Sequence, residues 1–353
     1  MTNSFAVEFK NVTKEFGDVQ AVRDLNFSIE KGQLVTLLGP SGCGKTTTLR
    51  LIAGLEMATE GNIFIGKKEV TKMSASDRDV SMVFQSYALF PHMTVMQNVS
   101  YGLTMSRISK QEVKEKSQNG LELVGLSGFG ERLPSELSGG QQQRVAVARA
   151  LVLEPEVLLF DEPLSNLDAK LRRRVREEIR ELQQDLGLTT VYVTHDQEEA
   201  LAVSDRIIVM NEAVIAQEGT PKELYEEPIN LFVSDFIGDA NLINSSIIEI
   251  DGLNAKLDIG GIQLQLPHRG LMPGNAMVAI RPQSIYLHES GSEKGILGTI
   301  LKSSYLGDHL EYTVKSELGE FFVIDNQMQT QHPPGAQVSI TFRSYGISLI
   351  PES

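Results

Sequence analysis

The sequence of 353 residues is long enough for two domains, or for one large domain followed by a smaller one. Its net charge of −14 argues against non-specific binding of nucleic acid, and its one cysteine, Cys43, excludes an internal disulfide and fits a reducing compartment. We expect no transmembrane helix, and no signal peptide, since Glu8 and Lys10 interrupt the apolar residues near the start. The chain is therefore expected to be soluble, or attached to a membrane through a partner.

The first strands are expected at residues 5–12, where apolar and polar residues alternate, and at residues 21–29. Phe16 lies between them, directly before a glycine in a turn. An aromatic ring in such a turn either packs half-buried against the protein or stacks on an adenine ring. Phe16 is therefore a candidate contact for the base of a nucleotide.

Residues 39–46 read GPSGCGKT and lie between a predicted buried strand, residues 34–38, and a predicted helix, residues 47–53. Glycines allow backbone N–H groups to converge on phosphate oxygens, and the start of the helix adds partial positive charge. We expect Lys45 to contact the β- and γ-phosphates and the Thr46 hydroxyl to ligate Mg²⁺. The predicted nucleotide-binding residues of this stretch are Gly39, Pro40, Ser41, Gly42, Cys43, Gly44, Lys45, Thr46 and Thr47.

A hairpin is predicted at residues 61–70, and a buried strand at residues 80–84 that leads to Gln85. From residue 86 to about residue 134 the pattern becomes helical with glycine breaks, which predicts a mostly helical subdomain inserted into the nucleotide-binding core. The amide of Gln85 is able to ligate Mg²⁺ or to hold a water. Its place before the insertion would couple the state of the nucleotide to the helical subdomain.

A second helix start that suits an anion follows at Ser138, Gly139, Gly140 and Gln141. Ser138 is a suitable N-cap, and the glycines leave backbone N–H groups exposed. Because the chain already has one phosphate loop, a second such site suggests that nucleotides are shared between two chains. The alternative is a glycine-rich N-cap that binds no ligand.

Two further buried strands, at residues 157–160 and 189–193, are predicted to end in polar residues at the ligand-binding edge of a parallel sheet. Asp161 is placed there to hold Mg²⁺ through water, and Glu162 to orient or deprotonate an attacking water. His195 is placed to donate to the γ-phosphate and so to report its presence. The predicted metal ligands are Thr46, Gln85 and Asp161. The predicted catalytic residues are Lys45, Gln85, Glu162 and His195.

Strands alternate with helices up to about residue 238, which predicts an α/β fold around a parallel sheet. After about residue 239, short strands with turns between them predict a small all-β barrel or a pair of barrels. We therefore expect a nucleotide-binding domain at residues 1–238, with its helical subdomain at about 86–134, and an all-β domain at residues 239–353.

Taken together, these motifs resemble the ATP-binding subunit of an ABC transporter over residues 5 to about 238. The resemblance rests on LSGGQ at residues 137–141, FDE at residues 160–162 and SNLD at residues 165–168, together with Phe16, Gln85, His195 and the phosphate loop. It implies a P-loop ABC ATPase core that binds ATP and Mg²⁺.

The family pattern also implies roles for single residues. Phe16 would stack on adenine, Glu162 would act as the catalytic base, and His195 would sense the γ-phosphate. Two copies of the chain would close head to tail, so that residues 138–141 of one copy cover ATP on the other. Asp168 would lie at that interface.

Three segments narrow the resemblance to the ATPases of bacterial importers for sugars, polyamines or ferric iron: residues 86–95, 194–200 and 280–285. In that group the tail forms oligomer-binding-like β-barrels with a regulatory or dimerising role, and residues near 87–93 receive a cytoplasmic loop of the membrane subunit. The implied partners are a second copy of the chain, two membrane permease subunits and, indirectly, an extracytoplasmic solute-binding protein, but no nucleic acid. The implied location is the cytoplasmic face of the bacterial inner membrane, as a peripheral protein.

The transported solute is selected by other chains and stays open. The resemblance favours ferric iron or a polyamine over a sugar, a sulfate-like anion or an organophosphonate. Two other classes are a soluble ABC ATPase of DNA repair or translation, which usually has two cassettes or a long coiled-coil insertion, and a mainly regulatory module. The presence of Glu162 and His195 argues that ATP turnover matters.

Overall fold

The structure is a computed structural model that divides into two compact units, Met1–Pro221 and Lys222–Ser353, each described by itself. The described residues are 5–106, 108–291, 295–328 and 330–351. Within those ranges, no helix is long and apolar enough to span a membrane. The domain boundary expected between residues 238 and 239 stays a prediction.

Two sheets form the centre of the first unit. Its strands are β1 (Phe5–Phe16), β2 (Val19–Glu30), β3 (Leu34–Leu38), β4 (Glu60–Ile65), β5 (Lys68–Glu69), β6 (Val80–Val83), β7 (Val157–Asp161), β8 (Thr190–Thr194), β9 (Arg206–Asn211) and β10 (Val214–Gly219). The strands β2-β1-β4-β5 pair as an antiparallel sheet, and β10-β9-β3-β8-β7-β6 pair as a six-stranded sheet. The first unit therefore combines a mostly parallel core sheet with an antiparallel sheet, and its parallel core agrees with the predicted α/β fold.

The middle of the six-stranded sheet is parallel, with β3 between β8 and β9, and β7 between β6 and β8. Every residue of β3 and of β8 is buried, which explains their continuous apolar or β-branched sequences. The register pairs Leu38 with Thr194 and Asp161 with Val193. The carboxyl ends of β3, β7 and β8 therefore meet at one edge, where the loops that follow them come together.

The helices of the first unit are α1 (Lys45–Ala53), α2 (Val95–Met105), α3 (Lys110–Leu123), α4 (Gly139–Leu151), α5 (Ala169–Leu186) and α6 (Gln197–Val203). Gly54 and Gly187 end α1 and α5 in the left-handed conformation, with φ of 72° and 60°. Side chains from α2, α3 and α4 share one buried cluster, so the prediction of a helical insertion between β6 and β7 is confirmed.

One departure from the predicted elements is the length of β1. Alternation of apolar and polar residues ends near residue 12, yet the strand continues to Phe16. Bulges in its pairing with β2 absorb the interruption at Asn11, where φ is 50°. A strand with bulges does not keep a period of two, and for that reason the sequence pattern underestimates its length.

The second unit is dominated by antiparallel strands, as expected. Its helices and strands are α7 (Pro221–Glu226), α8 (Leu231–Phe236), β11 (Asn241–Asp251), β12 (Asn254–Ile259), β13 (Ile262–Pro267), β14 (Gly274–Ile280), β15 (Ile285–Glu289), β16 (Ile296–Tyr305), β17 (Leu310–Ser316), β18 (Gly319–Asp325), β19 (Gln337–Phe342) and β20 (Ile347–Ile350), of which α7 begins at the last residue of the first unit. Two five-stranded sheets, β13-β12-β11-β14-β20 and β15-β19-β16-β17-β18, bury their apolar side chains in one common cluster. The prediction of an all-β domain is confirmed.

Arg281 ties α7 and α8 to the sheets of the second unit. It is only 3% exposed, and its guanidinium donates to the backbone carbonyls of Tyr225, Ser234 and Gly238. The same guanidinium lies 4.2 Å from the centre of the Tyr225 ring. One buried side chain thus donates to three backbone carbonyls of the segment that contains α7 and α8.

We expect Arg281→Met to destabilise the second unit by about 3 kcal/mol or more, because several buried carbonyls lose their donor at once. Urea unfolding, followed by circular dichroism of the full chain, measures the loss. Lys302→Met is the matched control, since Lys302 is exposed on β16. Equal transition midpoints for the two variants would contradict the proposed role of Arg281.

Candidate functional site

The loop after β3 depends on glycines that pack against neighbouring backbone. A Cβ on Gly39 would lie 2.3 Å from the carbonyl oxygen of Met210, and one on Gly44 would lie 2.5 Å from the carbonyl oxygen of Ala21. Both glycines also have positive φ, of 157° and 105°. The loop therefore lies close against β2 and β9 and turns directly from β3 into α1.

Lys45, the first residue of α1, folds its side chain over this loop. Its Nζ donates to the carbonyl oxygens of Gly39 at 2.7 Å and Pro40 at 2.9 Å. The sulfur of Cys43 lies 3.8 Å from the same ammonium group. Burial raises the pKa of the Cys43 thiol, although the charge of Lys45 opposes this effect, so the thiol is neutral at physiological pH. The structure thus places the cation of Lys45 within the loop, as a phosphate site needs.

Asp161 and Thr46 meet across the site, from the end of β7 and the first turn of α1. The Thr46 hydroxyl lies close enough to the Asp161 carboxyl to act against the rise of its pKa. Burial raises the pKa of Asp161, and the charge of Glu162 adds to the rise, whereas Arg50 and Thr46 oppose it. A hydroxyl and a partly buried carboxylate are oxygen ligands of the kind that Mg²⁺ prefers, so these residues fit the predicted metal site.

The described residues contain no group of three His, Cys, Asp or Glu side chains placed to hold a metal ion. A divalent cation beside Asp161 would consequently depend on the Thr46 hydroxyl, on water and on the phosphates of a nucleotide. This is the usual situation of Mg²⁺ in nucleotide-hydrolysing enzymes.

Glu162 and His195 form a pair at the same edge of the sheet. The Oε2 atom of Glu162 lies 3.2 Å from Nδ1 of His195. Glu162 has a positive φ of 45°, and its N–H donates to the carbonyl of Val193 in β8. A left-handed non-glycine residue is strained, and such strain is common at functional sites. The Glu162 carboxylate and the His195 imidazole are therefore held within one small space, where they are able to act on the same water or phosphate.

Gln85 contacts the segment that follows Glu162. Its side-chain Nε2 donates to the Ser165 hydroxyl at 3.0 Å, and its backbone carbonyl oxygen accepts from the Asn166 side-chain amide at 2.9 Å. Ser165 in turn donates to the carbonyl of Glu162 at 3.1 Å. Gln85 is thus joined to Glu162 through one hydroxyl group, a link that the sequence did not indicate.

Residues 138–141 form the start of α4 in a capping box. The Gln141 backbone N–H donates to the Ser138 hydroxyl, and the Gln141 side-chain oxygen accepts from the Ser138 N–H at 2.9 Å. A Cβ placed on Gly139 would lie 3.3 Å from Cδ2 of Leu167, and one on Gly140 would lie 3.1 Å from Cδ1 of Leu171, so both glycines lie close to these leucine side chains. No hydrogen bond among the described residues joins residues 138–141 to the phosphate loop of the same chain.

Phe16 is 47% exposed at the end of β1, with the ammonium of Lys14 4.5 Å from its ring centre. An exposed ring beside a cation is available to a flat ligand that carries anionic phosphates.

Two residues near the site were missed by the sequence analysis. Glu199 is only 4% exposed and lies on the buried face of α6, and Arg172 reaches from α5 towards it. The sequence did contain a sign that Glu199 is buried. The helical period places it on the same face of α6 as Ala200 and Val203, which are apolar and buried. Arg172 gave no signal, since three consecutive arginines are usually all exposed.

The site defines an ATPase of the P-loop class, because it combines a glycine loop on a parallel sheet, an acid beside the loop threonine and an adjacent Glu–His pair. The helical insertion before β7 is typical of ABC cassettes. Comparison with family models agrees. The ABC transporter model matches residues 22–165, and the TOBE domain model matches residues 278–350. The chain therefore belongs to the ABC transporter family, as one of its ATP-binding subunits, and is an ATPase coupled to transport.

Similar proteins span almost the whole chain. The Fe(3+) ions import ATP-binding protein FbpC of Rhizobium etli is 59% identical over 344 residues, which cover 98% of this chain and 97% of that protein. The protein of the same name from Brucella abortus is 57% identical over 98% of both chains. The one from Vibrio cholerae is 49% identical over 98% of this chain and 97% of its own length.

Similar solved structures match somewhat less than two thirds of this chain. An ATP-binding cassette solved as a dimer in a post-hydrolysis state, with ADP and Pi bound, matches 61% of this chain and 98% of its own, with 33% identity and a TM-score of 0.54. The cbiO1 protein of Clostridium perfringens, part of the ABC transporter complex cbiONQ, matches 63% of this chain and 91% of its own, with 28% identity and a TM-score of 0.59. ATP is therefore the nucleotide that this ABC ATPase binds.

Proposed function

We propose that this chain is the ATP-hydrolysing subunit of a bacterial importer for ferric iron. The observation that supports the solute most directly is the name shared by relatives that are 56–59% identical over 98% of the chain, Fe(3+) ions import ATP-binding protein. The solute itself would be handled by separate membrane subunits and by an extracytoplasmic binding protein. This subunit would supply energy to them from the cytoplasmic face of the inner membrane.

In the proposed site, the phosphate loop and Lys45 hold the phosphates of ATP. Thr46, Asp161 and Gln85 would hold Mg²⁺, which would supply charge that stabilises the phosphates during transfer. The ring of Phe16 covers the adenine. The closeness of Thr46 to Asp161 supports this assignment, because the end of β7 and the first turn of α1 bring two of the three proposed ligands together.

Hydrolysis itself is assigned to the Glu162–His195 pair. The Glu162 carboxylate accepts a proton from the attacking water, and His195 donates a hydrogen bond to the γ-phosphate. Their separation of 3.2 Å means that the Glu162 carboxylate also orients the imidazole. Gln85 reaches the same pair through Ser165 and so links it to the helical insertion.

A second copy of the chain completes the site. In this proposal Ser138, Gly139, Gly140 and Gln141 of one copy face ATP bound to the other. The capping box supports this role, since it fixes the helix start that carries the exposed serine. Asp168 caps α5 beside this surface by accepting from the Leu171 N–H at 3.0 Å, and would lie at the interface.

The membrane subunits are proposed to dock in a cleft of about 480 Å³ between the core and the helical insertion. Phe90 and Tyr101 line it, with ring centres 4.7 Å apart. Tyr87 and Ala88 have left-handed φ of 61° and 47°, and Arg149 donates to both of their carbonyls. A largely apolar cleft that Phe84, the residue before Gln85, helps to line is suited to receive a helix from a partner and to transmit its movement.

The test is uptake of radioactive ferric citrate by bacteria that lack this gene. We expect uptake to be lost, to return with the wild-type chain and to remain absent with Glu162→Gln. Uptake of radioactive spermidine by the same cells is measured in parallel. Unchanged iron uptake in the deletion strain, or a loss of spermidine uptake instead, would overturn the assignment of ferric iron.

The docking proposal is tested in the same strain with Tyr101→Arg, which places a charge in the cleft. We expect the purified variant to hydrolyse ATP as the wild type does, and to fail to restore iron uptake or to co-purify with the membrane subunits. Leu123→Arg is the control, since Leu123 is exposed at the end of α3 and does not line the cleft. Normal co-purification of Tyr101→Arg would contradict docking at this cleft.

A further inference from the structure

Arg172 joins two segments that the proposed mechanism treats separately. Its Nη2 donates to the carbonyl oxygen of Leu167 at 3.1 Å, and its Nη1 donates to Oδ2 of Asp196 at 3.4 Å. Its Nε lies 3.8 Å from Oε1 of Glu199. The planar guanidinium thus connects the segment after Glu162 with the turn that carries His195.

The acceptors on the His195 side are firmly held. The buried Glu199 carboxylate accepts from the Thr194 hydroxyl at 2.8 Å and from the Tyr192 hydroxyl at 3.2 Å. Asp196 caps α6, since its Oδ1 accepts from the Glu199 N–H at 3.1 Å, and its own N–H donates to the Thr194 hydroxyl at 3.0 Å. Because Asp196 and Glu199 are bonded to the turn in this way, a shift of Arg172 would displace the turn around His195. The shift would not be limited to one surface side chain.

The segment on the other side of Arg172 touches the start of α4. Leu167 is buried, and its Cδ2 would lie 3.3 Å from a Cβ placed on Gly139. Leu167 is followed by Asp168, the N-cap of α5. Residues 138–141, Leu167 and Arg172 therefore form a continuous set of contacts within one chain.

Arg172 also lines a small cavity of about 80 Å³ that Glu162 and His195 line as well. Its two sequence neighbours behave differently. Arg173 and Arg174 are 77% and 70% exposed, and each is paired with a glutamate one turn along α5. Of these three arginines, the side chain of Arg172 is the one that reaches the catalytic edge.

We propose that Arg172 is a positioning residue that couples the two ATP sites of the dimer. It transmits contact between residues 138–141 and the partner's nucleotide to His195 in the chain's own site. This inference rests on the proposed ATPase function, since it needs two shared sites. Its consequence is that ATP bound at one site favours the catalytic arrangement of His195 at the other, which is positive cooperativity.

The test measures ATP hydrolysis against ATP concentration for the full chain, reconstituted with its membrane subunits in liposomes. For the wild type we expect a Hill coefficient clearly above 1. For Arg172→Met we expect a Hill coefficient close to 1 and a kcat lower by about tenfold, with KM changed by less than about threefold. Arg172→Lys should recover part of the cooperativity, because an ammonium keeps the charge without the planar fork. Arg173→Met is the matched control and should behave as the wild type.

Asp196→Asn provides an independent variant, since asparagine also caps a helix but carries no charge for Arg172. It should lower the Hill coefficient in the same way, and the effects of the two substitutions should not add. If the wild type does not hydrolyse ATP, the proposed function fails. If the wild type is cooperative and either Arg172→Met or Asp196→Asn keeps its Hill coefficient, the proposed function stands and the coupling role of Arg172 is wrong.

Discussion

Glu162→Gln is expected to lower the rate of ATP hydrolysis by about a hundredfold to ten-thousandfold, the range found when a general base is removed. Glutamine has the same shape, but its amide does not accept a proton at physiological pH and has no negative charge to attract the His195 ring. The phosphate loop and the Asp161–Thr46 pair stay intact, so ATP should still bind. The variant should therefore accumulate as a closed dimer with ATP bound.

Release of phosphate measures the rate, and size-exclusion chromatography with ATP measures the dimer. Glu198→Gln is the matched control, because Glu198 is exposed on α6. This substitution removes the same charge a short distance from His195. Hydrolysis by Glu162→Gln at the rate of Glu198→Gln would exclude Glu162 as the base. Loss of ATP binding by Glu162→Gln would show that the carboxylate serves binding instead.

Ser138→Arg should abolish hydrolysis without preventing ATP binding by the isolated chain. Ser138 is exposed, so an arginine fits within the monomer at the cost of the N-cap, about 1 kcal/mol. In the proposed dimer the same arginine meets the phosphates and the loop of the partner copy. Its bulk and charge would hold the two copies apart.

The matched control is Ser135→Arg, on the exposed turn that precedes the helix start. Binding of a fluorescent ATP analogue and phosphate release are measured for both variants. Equal hydrolysis by the two variants would contradict the shared site. Failure of the Ser138→Arg monomer to bind ATP would instead mean that residues 138–141 belong to the chain's own nucleotide site.

Most of the catalytic edge was predictable from sequence because parallel strands impose a simple rule. Each buried strand of the core is a short apolar run, and polar residues directly after such runs meet at one edge of the sheet. Asp161 and His195 were located by that rule, and the register of β3, β7 and β8 confirms their common edge. The assignments of their chemical roles stay predictions.

Contacts between distant side chains were not predictable in the same way. The pairing of Gln85 with Ser165 joins residues 80 positions apart, and Arg172 with Asp196 joins residues 24 positions apart. No periodic pattern encodes such pairs, since they depend on how α5 packs beside the sheet. The order of the strands in the second unit was out of reach for a similar reason, because antiparallel strands of similar composition have many possible partners.

The left-handed backbone at Glu162 has a consequence for the stability of the molecule. A glycine would adopt a φ of 45° without strain, so the protein holds a carboxylate at a position where its backbone would favour another residue. Selection for a more stable protein and selection for faster turnover therefore act in opposite directions at this residue. Random mutagenesis screened only for heat resistance would tend to replace the group that we propose as the catalytic base, and a thermostable version of this ATPase is better sought through substitutions elsewhere in the chain.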